Sequence, residues 1–354
     1  MKHLFSFSLI MLLSIALYAG NPDRVGQAGA TELLINPWAR SSGWNAANTA
    51  GMTGVEAMRF NPGGVVGVPN SEFLFARTIW LSGTDIFINS FGFTQRLGAA
   101  KSGAIGLSIM TFDFGNIDIT TVDQPEGGIG TYSPSFTNIG ITYSHMFSNR
   151  IRAGATIRII SETIPDAKAS GVCFDAGLQY ITDISGDEDK KRTKFGISLR
   201  NVGTPMSFSG DGLARRGQFE GEEVILTVDG RSASFELPTL INISFAQDFW
   251  LTKTADHILT AALTFTSNSF AYDQFNLGLE YSLKNIVMLR AGYIYEQNIY
   301  SKEDRRNIYT GPAAGFSVNL PFGTDKKNVF AVDYSYRATM NFAGTHTFGA
   351  RIVL

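Results

Sequence analysis

The sequence predicts an all-β fold, namely a transmembrane antiparallel β-barrel of about fourteen strands with an N-terminal plug in its lumen. Apolar and polar residues alternate, as in strands. The alternating runs reach the ~10 residues that a tilted strand needs to cross a bilayer. The pattern is clearest in residues 287–295, where Val287, Leu289, Ala291, Tyr293 and Tyr295 alternate with Met288, Arg290, Gly292 and Ile294.

The composition suits a wall that faces lipid. The chain has 354 residues, a formal net charge of -2, 37 Gly, 27 Phe and only 17% charged residues. A near-neutral charge gives no basic surface for nucleic acid. Cys173 is the only cysteine, so neither an intrachain disulfide nor a CxxC site is possible, and we interpret it as a small wall residue.

The N-terminus has the features of a secretory signal peptide over residues 1–19. Lys2 and His3 precede an apolar run at residues 4–16, and Leu17-Tyr18-Ala19 forms a plausible cleavage site. No later stretch approaches the ~20 apolar residues of a spanning helix. We therefore expect an integral β-barrel in the outer membrane of a diderm bacterium.

Residues 20–69 differ from the rest of the chain. They are rich in small residues, contain no strand of bilayer length and end in Asn61-Pro62-Gly63-Gly64. A barrel of fourteen strands encloses more space than its own side chains fill. We therefore predict a plug or hatch at residues 20–69, inside a barrel formed by residues 70–354.

The connections between predicted strands alternate in length. Every second one is brief, whereas the others include the three longest, at residues 115–133, 202–235 and 298–310. Outer-membrane barrels have short periplasmic turns, long extracellular loops and even strand numbers, so we expect both chain ends in the periplasm. Twelve or sixteen strands remain alternatives, because residues 223–236 could add a hairpin. The fourteen predicted strands lie near 70–80, 84–96, 102–114, 134–147, 149–162, 168–181, 192–201, 236–249, 255–268, 272–283, 285–297, 311–320, 327–338 and 344–354.

Ionisable residues occupy positions predicted to face the lumen. On neighbouring strands Glu280 can meet Arg290, and Asp333 can meet Arg351, which makes these four a candidate lumen charge network. We favour a structural network that holds the plug over a polar conduction path. The other inward cations are Arg152, Arg158, Arg200 and Arg337.

Signals for an enzyme are weak. The histidines are isolated, no HExxH or GxSxG motif occurs, and residues 127–130 do not open a helix as a phosphate loop would. Loop acids such as Asp187-Glu188-Asp189 lack the spacing of a calcium loop. We expect no enzymatic activity, no cofactor and no metal site.

Two stretches of the predicted plug carry a family resemblance. Residues 32–43 and 54–64 contain an apolar run, an Arg-Ser turn and an Asn-Pro-Gly-Gly element, whose key residues are Ala39, Arg40, Gly43, Asn61, Pro62, Gly63 and Gly64. This pattern resembles the PorV/PorQ family of Bacteroidota, within the FadL-like outer-membrane barrels. The resemblance implies a hatch inside a fourteen-strand barrel and an accessory role in type IX secretion.

The sequence leaves two functions to compare. The first, which we favour, is an accessory or docking subunit of a protein export or assembly machine, type IX secretion-like or the β-barrel assembly complex. Its partners would be other outer-membrane proteins or lipoproteins and membrane lipids, with no nucleic acid, and its long loops would form the contact surface. The alternative is a FadL-like passive transporter of hydrophobic small molecules. A secreted β-sandwich, the third possibility, does not fit the strand length.

Overall fold

A computed structural model describes residues 20–98, 101–183, 192–218, 225–252, 256–323 and 327–354. The predicted signal peptide, residues 1–19, lies outside these ranges, as do parts of the predicted turns at residues 97–101, 182–191, 250–254 and 321–326. No helix in the described ranges is long and apolar enough to span a membrane.

The described chain forms a closed barrel of fourteen antiparallel strands, which confirms the predicted fold class and strand number. Strands are numbered β1 to β18 in chain order, and the last strand, β18, pairs with β1 to close the ring. The barrel strands are β1 (Ser71–Trp80), β2 (Ile86–Leu97), β3 (Gly103–Asp113), β6 (Ser135–Met146), β7 (Ile151–Ile164), β8 (Ala167–Thr182), β9 (Thr193–Gly203), β12 (Leu240–Trp250), β13 (His257–Asn268), β14 (Gln274–Leu283), β15 (Val287–Glu296), β16 (Tyr309–Phe322), β17 (Asn328–Thr339) and β18 (Thr345–Val353).

Two small hairpins stand outside the barrel. They are β4 (Ile117–Asp118) with β5 (Thr131–Tyr132), and β10 (Ala214–Gln218) with β11 (Ile225–Asp229). The second hairpin contains part of the stretch that could have raised the strand number to sixteen. It forms a separate sheet instead, and the barrel resumes at Leu240, later than the predicted start at 236. Pro238, which has no amide hydrogen for a sheet ladder, lies just before this point.

Alternation along each strand separates an outer apolar face from an inner face. In β1 the outward Phe75 is 50% exposed, whereas the neighbouring inward Leu74 and Ala76 are 1% and 0% exposed. In β18 the inward residues are Thr345, Thr347, Gly349 and Arg351, as the sequence predicts. Successive side chains of a strand point to opposite faces, so the same pattern gives a lipid-facing wall and a polar lumen.

The strand ends form two different rims. We call the end with the longer connections the loop rim; its connections are residues 81–85, 114–134, 165–166, 204–239, 269–273, 297–308 and 340–344. We call the other end the turn rim; its connections are residues 98–102, 147–150, 183–192, 251–256, 284–286 and 323–327.

Residues 20–70, the N-terminal segment, run through the lumen in short turns. Their helical pieces are Pro22–Arg24, Thr31–Leu34, Ala39–Ser42, Ala57–Phe60 and Pro62–Gly67. The amide of Asn21 donates to the carbonyl of Asn268 at the loop rim, 3.3 Å away. At the other end of the segment, Ser71 exchanges backbone hydrogen bonds with Leu354 at the turn rim. The segment therefore spans the barrel from rim to rim.

The two described chain ends consequently lie at opposite rims. Gly20 lies beside Ala271 and Asp273 at the loop rim, and Leu354 lies at the turn rim. The prediction that both chain ends share one side of the membrane does not hold for residues 20–354. Its basis, the even number of strands, fixes only where β1 begins and β18 ends, and the segment before β1 travels the length of the lumen.

Candidate functional site

The interface between the N-terminal segment and the inner wall is the candidate functional site. Short helical turns leave backbone carbonyls without partners in the segment itself. Inward Ser, Thr and Gln side chains of the wall supply the missing donors. These bonds are Thr78 to Pro37 (3.3 Å), Ser144 to Gly63 (3.0 Å), Thr156 to Met58 (3.3 Å), Gln179 to Met52 (2.8 Å), Ser198 to Phe60 (2.6 Å) and Thr264 to Ala47 (2.7 Å).

The Asn-Pro-Gly-Gly element lies at the turn-rim end of this interface. Asn61 is fully buried; its side-chain oxygen accepts from the amide of Gly63 (3.2 Å) and its side-chain amide donates to the carbonyl of Leu178 (3.0 Å). A Cβ on Gly64 would lie 2.0 Å from the carbonyl oxygen of Met52, so only glycine fits there. Pro62, also buried, takes the first position of the following helical turn, where a proline is well tolerated.

The other predicted hatch residues contact the opposite side of the wall. Ala39 lies in the helix Ala39–Ser42, which packs on β16, β17 and β18. Gly43 follows that helix, and a Cβ built there would lie 3.0 Å from the Cα of Gly315. Arg40 points toward Glu56, with its Nε 3.5 Å from the Glu56 Oε2, and donates to the carbonyl of Thr53 (3.1 Å).

The structure brings all four residues of the candidate charge network into one cluster. The Nε of Arg290 lies 2.5 Å from the Glu280 Oε2, and its Nη1 donates to the hydroxyl of Ser317 (2.6 Å). Ser317 in turn donates to Asp333, whose Oδ2 lies 3.6 Å from the Nε of Arg351. The chain of contacts crosses β14, β15, β16, β17 and β18, so it braces a continuous part of the wall.

Sequence reasoning missed the carboxylates that join the N-terminal segment to this region. Glu56 and Glu72 are 1% and 3% exposed, and the Glu72 Oε1 accepts from the amide of Val55 (3.0 Å). Burial lowers the pKa of Arg40, but the nearby charges of Glu56 and Glu72 outweigh it and raise that pKa overall. Arg40 is therefore charged at every physiological pH. A charge placed inside a barrel needs a partner, so the position of Arg40 in the predicted plug was the available signal for Glu56.

A polar cavity of about 230 Å³ lies between the N-terminal segment and the wall, toward the turn rim. Its charged lining residues are Arg40, Glu56, Lys194, Asp248 and Glu280, and Trp44 and Met288 add apolar surface. Lys194 and Asp248 form an ion pair at 2.7 Å. Such a lining suits water and polar groups. In the described part of the chain no group of three or more His, Cys, Asp or Glu side chains has a geometry that could hold a metal ion.

The wall is interrupted where β16 starts. Its pairing with β17 shifts between Tyr309 and Ala313, and its pairing with β15 begins only at Pro312. Gly311, with a φ of 118°, adopts a backbone conformation that favours glycine. The side-chain amide of Asn45 donates to the carbonyl of Gly311 at 2.8 Å, so the N-terminal segment satisfies a wall group that has lost its strand partner.

Comparison with known structures shows that the fold is similar to that of FadL-type barrels. The *Pseudomonas putida* toluene transporter TodX matches with a TM-score of 0.55 at 12% identity, over 90% of this chain and 97% of TodX. A TodX deletion mutant described as a monoaromatic hydrocarbon channel gives a TM-score of 0.52 at 13% identity, over 89% of this chain and 97% of that one. A *Pseudomonas aeruginosa* FadL homologue gives 0.51 at 11% identity, over 89% and 96%.

These likenesses confirm the FadL-like part of the predicted resemblance at the level of the fold. The PorV/PorQ assignment and a bacteroidotal source stay predictions. No protein-family model matches the chain. No curated protein sequence matches it either.

Proposed function

We propose that this protein is a plugged outer-membrane channel for the passive uptake of hydrophobic small molecules. The observation that carries the proposal is a closed fourteen-strand barrel, filled by its own N-terminal segment, whose fold matches a toluene transporter over 97% of that transporter's length. The loop rim would face the cell exterior and the turn rim the periplasm, following the usual placement of long loops and short turns. This reverses our sequence-based preference for an accessory subunit.

Uptake requires the N-terminal segment to move, because its side chains fill the lumen. The wall holds it by apolar packing and by single hydrogen bonds from hydroxyls such as those of Ser144, Thr156 and Ser198. Each such bond contributes about 1 kcal/mol net, because water replaces it when it breaks. The polar cavity beside Arg40 gives water a place from which to enter this interface. The segment is therefore suited to a local shift more than to complete removal.

The break in the hydrogen-bond ladder between β15 and β16 gives a moving substrate a way out of the lumen. The β15 residues beyond Tyr293 have no partner in β16, and Asn45 of the segment reaches the wall here. A shift of the segment would withdraw Asn45 and leave the carbonyl of Gly311 open to the lumen. An apolar solute released at this break would pass into lipid instead of water.

A reversible crosslink tests whether the segment must move. A Cβ on Gly349 would lie 3.3 Å from the Cβ of Ala39, close to the ~3.5–4.5 Å found between disulfide-linked residues. The double variant Ala39→Cys, Gly349→Cys would thus join the segment to β18. Native Cys173 is buried, away from this pair.

We expect host cells that express the wild-type protein in their outer membrane to take up radiolabelled toluene faster than cells with an empty vector. The double cysteine variant should lose this gain when oxidised and regain it after reduction. The single variants Ala39→Cys and Gly349→Cys are the controls and should not respond to oxidant. Equal uptake with and without the protein would refute the channel; uptake by the crosslinked protein would refute movement of the segment.

The second candidate is the accessory subunit of an export or assembly machine. Its support is the apolar surface on the loop-rim hairpins: Val122 is 98% exposed, and Ile129, Leu226 and Val228 are also exposed. Exposed apolar clusters are typical of protein contact sites. Pull-down of the tagged protein from native membranes tests this role, and recovery of the barrel without any machine component would count against it.

A further inference from the structure

A group of three buried arginines lies apart from the charge network described above. Arg59 belongs to the N-terminal segment, Arg158 to β7 and Arg200 to β9, and their exposed fractions are 4%, 3% and 5%. We refer to these three side chains as the arginine triad. Only β8 separates the strands of Arg158 and Arg200, and both of these side chains lie close enough to Arg59 for their charges to act on it.

A β-bulge explains why Arg200 faces inward together with its neighbour. Between Phe174 and Ala176 of β8, β9 accommodates an extra residue, and Asn201 takes a left-handed φ of 59°. Arg200 and Asn201 are therefore both buried, although consecutive strand residues usually face opposite sides. Bulges commonly re-aim a side chain at a functional position.

The triad has too few acceptors for its charge. Asp175 is the one carboxylate in contact with it among the described residues; it accepts from the Nη2 of Arg158 (2.6 Å) and from the backbone amide of Asn201 (2.7 Å). Within the described ranges, the Arg59 side chain donates to the backbone carbonyls of Glu32 and Leu33, at 3.1 and 2.8 Å. The Arg200 guanidinium lies 4.9 Å from the centre of the Phe60 ring.

One donor on each of the three side chains is left without an acceptor. The Nε groups of Arg59, Arg158 and Arg200 are all buried, and none has a hydrogen-bond partner among the residues that the structure describes. Leaving a buried charged donor unpaired is costly, and three positive charges near one carboxylate repel one another. In agreement, burial and the charges of Arg158 and Arg200 lower the pKa of Arg59.

Two nearby glutamates do not provide the missing charge. Glu32 and Glu162 are buried, each has a carboxylate oxygen without a hydrogen-bond partner, and neither forms an ion pair within the described ranges. Burial, reinforced by the charge of Glu162, raises the pKa of Glu32 to about 7, so this group is only partly ionised at neutral pH. The positive charge of the triad thus exceeds the negative charge in contact with it.

We propose that the arginine triad holds one small monovalent anion, of the size and charge of a halide, between the N-terminal segment and the wall. The anion accepts from the free Nε groups of Arg59, Arg158 and Arg200. Because Arg59 belongs to the segment and the other two arginines to the wall, the ion ties the two together. The nearly complete burial of all three side chains limits the occupant to a small ion. This inference does not depend on what the channel carries.

Bromide tests the site directly, because its anomalous scattering locates it in a crystal. Crystals of the complete protein grown with sodium bromide should show one peak between the three Nε atoms. In detergent solution, bromide at about ten times its Kd should raise the melting temperature by about 3 °C relative to gluconate at the same ionic strength. Arg200→Gln should abolish both effects. Arg351→Gln, which removes another buried guanidinium, should keep them.

Three results would overturn the proposal. Absence of the bromide peak overturns the proposal. A peak that persists in Arg200→Gln, with no effect of bromide on the melting temperature, also overturns it, because it marks an adventitious ion only. An equal loss in Arg351→Gln would show a general salt effect and also overturn it. If Arg200→Gln does not fold, hydrogen exchange of the Arg59 amide in the wild-type protein decides the question. That amide donates to the carbonyl of Glu56 at 3.2 Å, and its exchange should be about tenfold slower in bromide than in gluconate.

Discussion

We predict that Glu32 makes the attachment of the N-terminal segment depend on pH. Its carboxyl group is 4% exposed, and burial together with the charge of Glu162 raises its pKa from 4.5 to about 7. Once the segment leaves the wall, the group is hydrated and its pKa returns to about 4.5. The docked state therefore binds a proton more tightly than the released state. The contribution of this proton to the stability of the docked state is fully present below about pH 4.5 and is lost as the pH rises through about 7.

The magnitude follows from the size of that rise. One pKa unit corresponds to about 1.4 kcal/mol. A rise of about 2.5, from 4.5 to about 7, therefore corresponds to a loss of up to about 3 kcal/mol between acid and alkaline pH. The substitution Glu32→Gln keeps the shape of the side chain and removes its titration. At pH 8 the free energy needed to release the segment from the wall should be higher in the variant than in the wild type, by up to about 3 kcal/mol.

Hydrogen exchange measures this quantity at the site itself. The amide of Leu33 donates to the carbonyl of Ala30 (3.0 Å) and that of Ile35 to the carbonyl of Glu32 (3.1 Å), so both amides report on local opening. After correction for the intrinsic exchange rate, the opening free energy should fall with pH in the wild type and fall by less in Glu32→Gln. Glu236→Gln is the matched control, because Glu236 pairs with Arg24 at the exposed loop rim.

Such an exposed pair contributes at most about 1 kcal/mol, so Glu236→Gln should leave the pH dependence of the opening free energy as in the wild type. The reasoning is refuted if the wild type opens equally readily at pH 5 and pH 8. It is equally refuted if Glu32→Gln keeps the full pH dependence, since another group would then carry the proton.

Further substitutions probe the rest of the molecule. Gly64→Ala should lower the free energy of opening of the segment by about 2 kcal/mol or more, because the new Cβ would lie 2.0 Å from the Met52 carbonyl oxygen. Hydrogen exchange of the segment's amides should become faster, and unchanged exchange would contradict the close approach. Asp333→Ala should destabilise the barrel by about 3–5 kcal/mol, because it leaves buried guanidinium charge unpaired; heat-modifiable gel migration should then occur at a lower temperature than in the wild type. On the outer wall, Ile157→Arg at mid-strand should lower the free energy of unfolding by about 2–4 kcal/mol, and Thr163→Arg near the loop rim by about 0–1 kcal/mol. Urea unfolding in lipid vesicles compares the two variants, and equal losses would argue against the assigned membrane depth.

The sequence was sufficient to predict the barrel because each strand carries its own signal. Alternation is local, and the tight turn at Lys284 fixes the register that sets Glu280 opposite Arg290. Asp333 and Arg351 were also placed on one face of neighbouring strands. They lie diagonally rather than opposite each other, since Asp333 pairs with Gly349, which accounts for their longer separation.

The contacts of the N-terminal segment could not be predicted in the same way. The segment has no period, so nothing in its sequence indicates that Arg59 meets strands about a hundred residues away or that Asn45 reaches Gly311. These contacts depend on the three-dimensional course of the segment through a closed ring. The direction of that course, from the loop rim down to the turn rim, is likewise not encoded in any local motif.

The path of the N-terminal segment also dictates an order of assembly. The seam between β1 and β18 joins the first strand of the barrel to the last, and the segment lies enclosed within the ring that this seam completes. Drawing it in afterwards would carry charged side chains such as Glu56 and Arg59, which are buried in the finished barrel, along the lumen before they reach their final contacts. We therefore expect the segment to take its place while the sheet is still open, and β18 to pair with β1 last.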